Sequence, residues 1–106
     1  LHLSLRRQRQ MCIRDRPGIV EAAGRDIEVW MDGGVRSGQD VLKARALGAR
    51  GTLIGRAFLY GLGAAGEAGV TRALQIIHKE LDVSMAFCGR TRIDDVGSDI
   101  LLPGSF

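Results

Sequence analysis

Apolar positions along this chain fall into a few short bursts and one long periodic stretch. Ile27–Met31 (IEVWM) is a β-rich run bounded by Asp26 and by Asp32-Gly33-Gly34, which predicts a short buried strand. Ser37 stands where a helix N-cap belongs, with Asp40 three residues later as in a capping box. Val41, Leu42, Ala44, Ala46 and Leu47 supply the apolar positions of that helix, and Gly48 ends it. Thr52–Ile54 predicts a second short strand, closed by Gly55-Arg56. Strand, short helix and strand in this order make a parallel βαβ unit, whose crossover is almost always right-handed.

On either side the pattern is helical or polar. Pro17–Ala23 (PGIVEAA) predicts a short helix with proline in its first turn and Gly24 as its stop. Phe58, Leu59, Tyr60 and Leu62 predict a brief helical segment broken by Gly61, Gly63 and Gly66. Val70, Leu74, Ile77 and Leu81 then recur at spacings of four, three and four, the signature of an amphipathic helix of about 15 residues. Its polar side carries Arg72, Lys79 and Glu80, and Val83–Cys88 is expected to add a turn or two. Beyond Gly89 the polar run RTRIDDVGSD leads to LLPGSF, an expected extended tail. There is no internal repeat of the kind that builds a solenoid.

Charge changes this picture at one end. The 106 residues carry 15 Lys+Arg and 12 Asp+Glu, a formal net charge of +3. Residues 1–16 hold five arginines against one acid, Asp15, so they contribute +4 and the remainder is −1. All 15 glycines also come after residue 16. The chain therefore divides into a basic segment over 1–16, foreign to the rest, a domain over 17–93, and a C-terminal tail over 94–106. Nucleic-acid binding needs basic side chains on a formed surface, often with aromatic platforms, and the arginine cluster has no aromatic neighbour, so no nucleic-acid partner is expected. The segment lacks the apolar core of a secretory signal. It is arginine-rich like a mitochondrial presequence but does not begin with Met, and the residues after it read as the end of a domain. No apolar run approaches the roughly 20 residues of a membrane span. Cys12 and Cys88 are too few and too far apart for a metal cluster, and two lone thiols suit a reducing compartment.

The candidate chemistry lies where the two strands end. Both run into glycine and arginine: Asp32-Gly33-Gly34-Val35-Arg36 and Gly55-Arg56. Glycine lets backbone N–H groups approach an anion, and a helix N-terminus next to it adds a favourable dipole. Arg36 and Arg56 can each give a forked, charge-assisted bond to phosphate oxygens, whereas Asp32 would repel phosphate and suits a hydroxyl. Two such loops, with a short extra helix after the second, match the phosphate site after strands seven and eight of a (β/α)8 barrel. The bland alternative is that the glycines make tight turns and the arginines pair with helix carbonyls. Elsewhere Asp94 and Asp95 read as a solvated pair pointing to opposite sides of an extended segment. Ser37, Ser84 and Ser98 have no His/Asp company. Cys88 is expected to pack as a small hydrophobe, Trp30 to belong to the core, and His78 to be a surface or half-buried helix residue.

The stretch DGGVRSGQDVLKARALGARGTLIGRAFLYGLGAAGEAGVTRAL resembles the C-terminal portion of the FMN-dependent α-hydroxy-acid dehydrogenase and oxidase family, which includes L-lactate dehydrogenase, lactate oxidase, glycolate oxidase and mandelate dehydrogenase. The similarity runs from about Pro17 to about Ile93. DGGVR with IGR after it would also suit other phosphate-binding barrels such as inosine-monophosphate dehydrogenase, and the continuation GRAFLYGLGAAGEAGV is what points to the hydroxy-acid family. The resemblance implies an α/β fold, the last two βα units of a (β/α)8 TIM barrel, with FMN as cofactor. It implies that Asp32 meets the ribityl hydroxyls, that Gly33, Gly34 and Gly55 offer backbone to the phosphate, and that Arg36 and Arg56 clamp it. It also implies a catalytic histidine and a carboxylate-binding arginine in an upstream motif like HGGRQ, and a lysine at an earlier strand end. No HGGRQ occurs in the chain. The motif is expected roughly twenty residues before Pro17, where the basic segment stands.

The residues thus support two readings of different class. One is a fragment of an FMN-dependent oxidoreductase acting on small 2-hydroxy acids, keeping the phosphate end of the cofactor site and lacking the catalytic base. The other is a small phosphate-binding or structural α/β module without redox chemistry. For the full-length protein the resemblance implies a cytoplasmic homo-oligomer, commonly a tetramer, with membrane association in some relatives.

Overall fold

The computed structural model describes residues 18–22 and 26–103, so the basic segment 1–16, the ends of the expected 17–23 helix and residues 104–106 lie outside the described residues. The elements are a helical stretch over 18–22 (α1), strand β1 (Trp30–Asp32), helix α2 (Gly38–Ala46), strand β2 (Gly51–Leu53), the long helix α3 (Arg56–Phe87), and two 3-10 turns, Ile93–Asp95 and Ser98–Ile100. β1 and β2 pair in parallel in the register Trp30↔Gly51, Met31↔Thr52, Asp32↔Leu53. One further rung comes from Arg50, whose N–H donates to Val29 O at 2.7 Å. The βαβ unit read from the pattern is present.

Each strand is displaced from its expected bounds, and the partner decides how. Ile27–Val29 has the composition of a strand, but continuing the register would set it against Gly48–Arg50, where the chain is still turning out of α2. Ile27 is accordingly 67% exposed. At the other end Asp32 joins β1 because Leu53 is extended beside it.

Both helix ends are closed by glycine in the left-handed region. Gly48 (φ 102) donates to Arg45 O and Ala49 N–H to Ala44 O, each at 3.0 Å. Gly89 (φ 71) donates to Ala86 O at 3.1 Å and Arg90 N–H to Met85 O at 2.9 Å. This paired arrangement satisfies carbonyls that a helix end would otherwise leave open, and only glycine adopts that backbone without strain. Cys88, expected to pack, is instead exposed at the C-cap of α3.

α3 is one run of hydrogen bonds with a break inside it. Ala65 (φ −149, ψ 21) and Gly66 (φ 62, ψ −139) leave helical geometry, dividing it into two limbs. The break falls at Gly66, as the glycine pattern suggests, but Gly61 and Gly63 lie within the first limb without interrupting it. The second limb runs on through Phe87, taking in the residues read as an added turn.

Packing places α2 at the centre. Met31, Val35, Ala44 and Ala49 form one buried cluster between α2 and the sheet, with Val41 and Ile54 against it. Leu42, Ala46 and Val96 form a second, covered by Leu81, Met85, Ile100 and Leu101. The expected extended tail is therefore folded back: Val96 is 7% exposed, and the chain reaches it through a 3-10 turn rather than a strand. Burial of an apolar side chain in a groove left open by two helices offsets the cost of ordering the segment. Asp94 and Asp95 sit in that turn, not in extended chain.

Among the described residues, helices cover one face of the sheet. Met31 faces α2, so alternation turns Trp30 and Asp32 the other way. Trp30, expected in the core, is 53% exposed, and Leu53 beside it 52%.

Candidate phosphate site at the strand ends

Parallel pairing gathers the sequence-predicted residues at one end of the molecule. Asp32 and Leu53 are opposite one another in the last rung, so Gly33-Gly34 and Ile54-Gly55 leave the sheet side by side. Each turn then feeds a helix that starts at this end, α2 at Gly38 and α3 at Arg56. Antiparallel pairing of the same strands would have put the two turns at opposite ends. Asp32, Gly33, Gly34, Arg36, Gly55 and Arg56 thus share one rim.

The first turn is held in a conformation that needs glycine. Gly33 has φ 94 and Gly34 φ 78, consecutive left-handed residues that turn the chain sharply after Asp32. Val35, 4% exposed, then anchors the turn in the core. A Cβ on Gly33 would meet nothing within 4 Å, so the constraint is the backbone angle, not crowding.

The two helix N-termini differ in what is left to bind. At α2 the Ser37 half of the capping box is formed, Asp40 N–H donating to Ser37 Oγ at 3.3 Å, and the Asp40 carboxylate accepts from the Arg36 N–H, one residue before the N-cap, at 3.0 Å. Those donors are satisfied from within the chain. At α3 the N-cap is Gly55, with no side-chain cap, and the first bond closing the helix is Leu59 N–H to Gly55 O at 3.2 Å. The N–H groups of Arg56, Ala57 and Phe58 come before that bond, in the position where a helix offers donors to an anion. Ala57 and Phe58 are contributors that the pattern of Gly and Arg does not reveal. Their signal in the sequence is the lack of Ser, Thr, Asp or Asn at the N-cap position.

Arg36, Arg56 and Asp32 are exposed, and among the described residues none of their charged groups enters an ion pair. Of the other described arginines Arg72 shares this state, and the rest are engaged. Arg45 reaches Ile93 O and Ala49 O at 3.3 Å and Asp94 at 3.5 Å, Arg50 meets Glu28 at 3.6 Å, and Arg90 meets Asp99. The bland alternative, in which arginines pair with carbonyls, holds for Arg45 and not for the two arginines at the rim. His78 is exposed on the second limb of α3, two residues before the Glu80–Leu81 backbone that Gly38 rests against.

A second depression, of about 470 Å³, lies at the opposite end of the sheet, lined by Glu28, Trp30, Arg45, Arg50, Ile93 and Asp94. Its charges pair with one another, and Trp30 Nε1–H donates to Glu28 Oε2 at 3.2 Å. It presents no unpaired charge to a ligand.

Comparison with known proteins bears on the same stretch. The family model described as FMN-dependent dehydrogenase matches residues 10–103, reaching beyond 17–93 on both sides. A pre-mycofactocin synthase of Mycolicibacterium smegmatis is 50% identical over 95 residues, 89% of this chain and 24% of the relative. An L-lactate dehydrogenase of Caulobacter vibrioides is 52% identical over 85 residues, 80% of this chain and 22% of the relative. Among solved structures, a mandelate oxidase mutant with the monooxide FMN adduct superposes with a TM-score of 0.76 at 40% identity, over 79% of this chain and 27% of that one. A mutant flavocytochrome b2 with benzoylformate gives 0.77 at 40% identity, over 83% and 24%. The chain spans about a quarter of the length of these proteins.

Proposed function

The chain belongs to the FMN-dependent dehydrogenase family, and from that premise we propose that it supplies the phosphate end of the FMN site in an oxidoreductase acting on small L-2-hydroxy acids. In this reading it is the last two βα units of a (β/α)8 barrel. FMN is the family's cofactor, and when bound it would accept the hydride that leaves the hydroxyl-bearing carbon of the substrate. The residues present fit the phosphate of such a group: a helix N-terminus with no side-chain cap, two left-handed glycines beside it, and two arginines without an ion pair among the described residues. The Arg56, Ala57 and Phe58 amides, with the Gly55 backbone beside them, would hold the phosphate oxygens, and the Arg36 and Arg56 guanidinium groups would balance their charge. Asp32, next along the rim, would accept from the ribityl hydroxyls.

The single observation that carries this is the parallel rung Asp32↔Leu53, which brings both Gly/Arg turns to one end. The uncovered sheet face bearing Trp30 and Leu53 supports the barrel placement, since a closed barrel fills its interior with side chains from this face. The proton-abstracting histidine and the carboxylate-binding arginine of the family's reaction would come from outside this chain, as His78 stands exposed on α3. The chain alone is therefore inactive toward lactate and binds FMN weakly, because the ring and the substrate have no walls here. Purified chain mixed with FMN and lactate tests this by absorbance of the flavin. Hydroxy-acid-dependent bleaching would overturn it. In the parent protein the substrate is a small 2-hydroxy acid, and assembly into a homo-oligomer in the cytoplasm is part of the same proposal.

A further inference from the structure

We propose that glycine contacts along the second limb of α3 are positioning elements for the two phosphate-end turns: Gly38 seats α2 on Glu80–Leu81, and Gly61 seats the first limb on Gly69. The proposal rests on the reading of that end as the cofactor-phosphate site.

Gly38 is the first residue of α2 and is buried. A Cβ there would collide with Leu81 N and lie 2.5 Å from Glu80 C and 2.6 Å from Glu80 Cβ. The first turn of α2 thus rests directly on the backbone of α3, at an approach that a side chain forbids. The limbs of α3 meet in the same way. A Cβ on Gly61 would lie 2.6 Å from Gly69 O and 2.9 Å from Gly69 C. One on Gly69 would run into Gly61 O and lie 2.7 Å from Gly61 C. Gly66, at φ 62 and ψ −139, makes the break that lets the limbs fold against each other.

Glycine is a poor helix former, so its placement inside helical limbs calls for a compensating contact. Gly61 and Gly69 have one, whereas Gly63, two residues along on the same limb, has nothing within 4 Å of a Cβ. Gly61 lies five residues from Arg56, about 7.5 Å along the limb. A pivot at Gly61 therefore swings the Arg56–Phe58 donors and the Arg56 side chain relative to the sheet. Gly38 acts likewise on the turn through Gly33 and Gly34. A single rigid limb carries both contacts, so the two turns are aimed with respect to each other and not only tied to the sheet.

The test uses isotope-labelled chain and its G38A, G61A, G63A and G69A variants. Amide resonances are compared first in phosphate-free buffer, then through a titration with inorganic phosphate. G61A and G69A are expected to move the Gly55, Arg56 and Ala57 resonances and to raise the phosphate dissociation constant about tenfold, the loss for one misaligned charge-assisted bond. G38A is expected to move those of Gly33 and Gly34, and G63A to move none of them. Unmoved Gly55–Ala57 resonances in G61A and G69A, or equal shifts in G61A and G63A, would overturn the proposal. If G61A and G69A do not fold, G38A decides: unmoved Gly33 and Gly34 resonances, or a third unfolded variant, overturn it as well. A wild-type chain whose Gly55–Ala57 resonances ignore phosphate would instead sink the cofactor-end reading, with the phosphate-free comparison still judging the glycine contacts.

Discussion

The Arg36 backbone N–H donates to the Asp40 carboxylate at 3.0 Å, and that bond makes the two helix N-termini at the rim unequal. With Ser37 Oγ taking the Asp40 N–H, α2 is capped by a side chain. α3, starting at a glycine, is not. An anion at this rim therefore meets the Asp40 carboxylate and one donor already taken at α2, and at α3 a first turn with neither.

Gly55→Asp turns that inequality into a prediction. The new carboxylate would sit at an N-cap where a Cβ meets nothing within 4 Å. At φ −113 and ψ −80 the Gly55 backbone is not the extended conformation in which an N-cap side chain reaches back, so stability should stay unchanged within about 0.5 kcal/mol. The same carboxylate would repel phosphate. Urea midpoints should therefore hold while phosphate binding disappears, and binding that survives would argue against α3 as the anion site.

Arg56→Gln and Arg36→Gln remove the two guanidinium groups without touching an internal ion pair. Each should weaken phosphate binding about tenfold and flatten its dependence on salt, with stability unchanged within about 0.5 kcal/mol. Arg45→Gln is the contrast. It loses contacts to Ile93 O, Ala49 O and Asp94, so it should lower stability and leave phosphate binding alone. Isothermal titration and chemical denaturation of the three variants separate the classes.

Gly33→Ala places a side chain at φ 94. The backbone conformation alone should cost about 1–2 kcal/mol, read as a lower urea midpoint at unchanged slope. Gly63→Ala, in open helix, should do the reverse.

Val96→Ala removes the apolar side chain that ties the C-terminal turns to Leu42 and Ala46. A loss of about 1–2 kcal/mol is expected, with faster amide exchange across Ile93–Leu101 before the rest of the chain. Uniform exchange through the whole domain would show that the segment is not a separate layer.

Much of this molecule was legible in the residues alone. The βαβ order, the capping box of Ser37 and Asp40, the stop at Gly48 and the Gly/Arg strand ends all come from local chemistry: turn angles, donor satisfaction and apolar spacing act within a few residues. What tertiary structure decided lies between segments distant in sequence. The strand bounds moved because Trp30, Met31 and Asp32 needed partners in Gly51–Leu53. The tail folded because α2 and α3 left a groove for Val96, which no polar run such as RTRIDD announces. Trp30 and Leu53 stayed exposed because, among the described residues, the helices pack on the other face of the sheet. Gly61 read as a helix breaker, and with Gly69 it became a crossing point because removal of the Cβ matters only once a second backbone arrives. Sequence determined which residues could bind an anion. The parallel rung and the contacts of α3 decided that they stand on one rim and which helix offers its donors, because register and close approach are properties of pairs of segments.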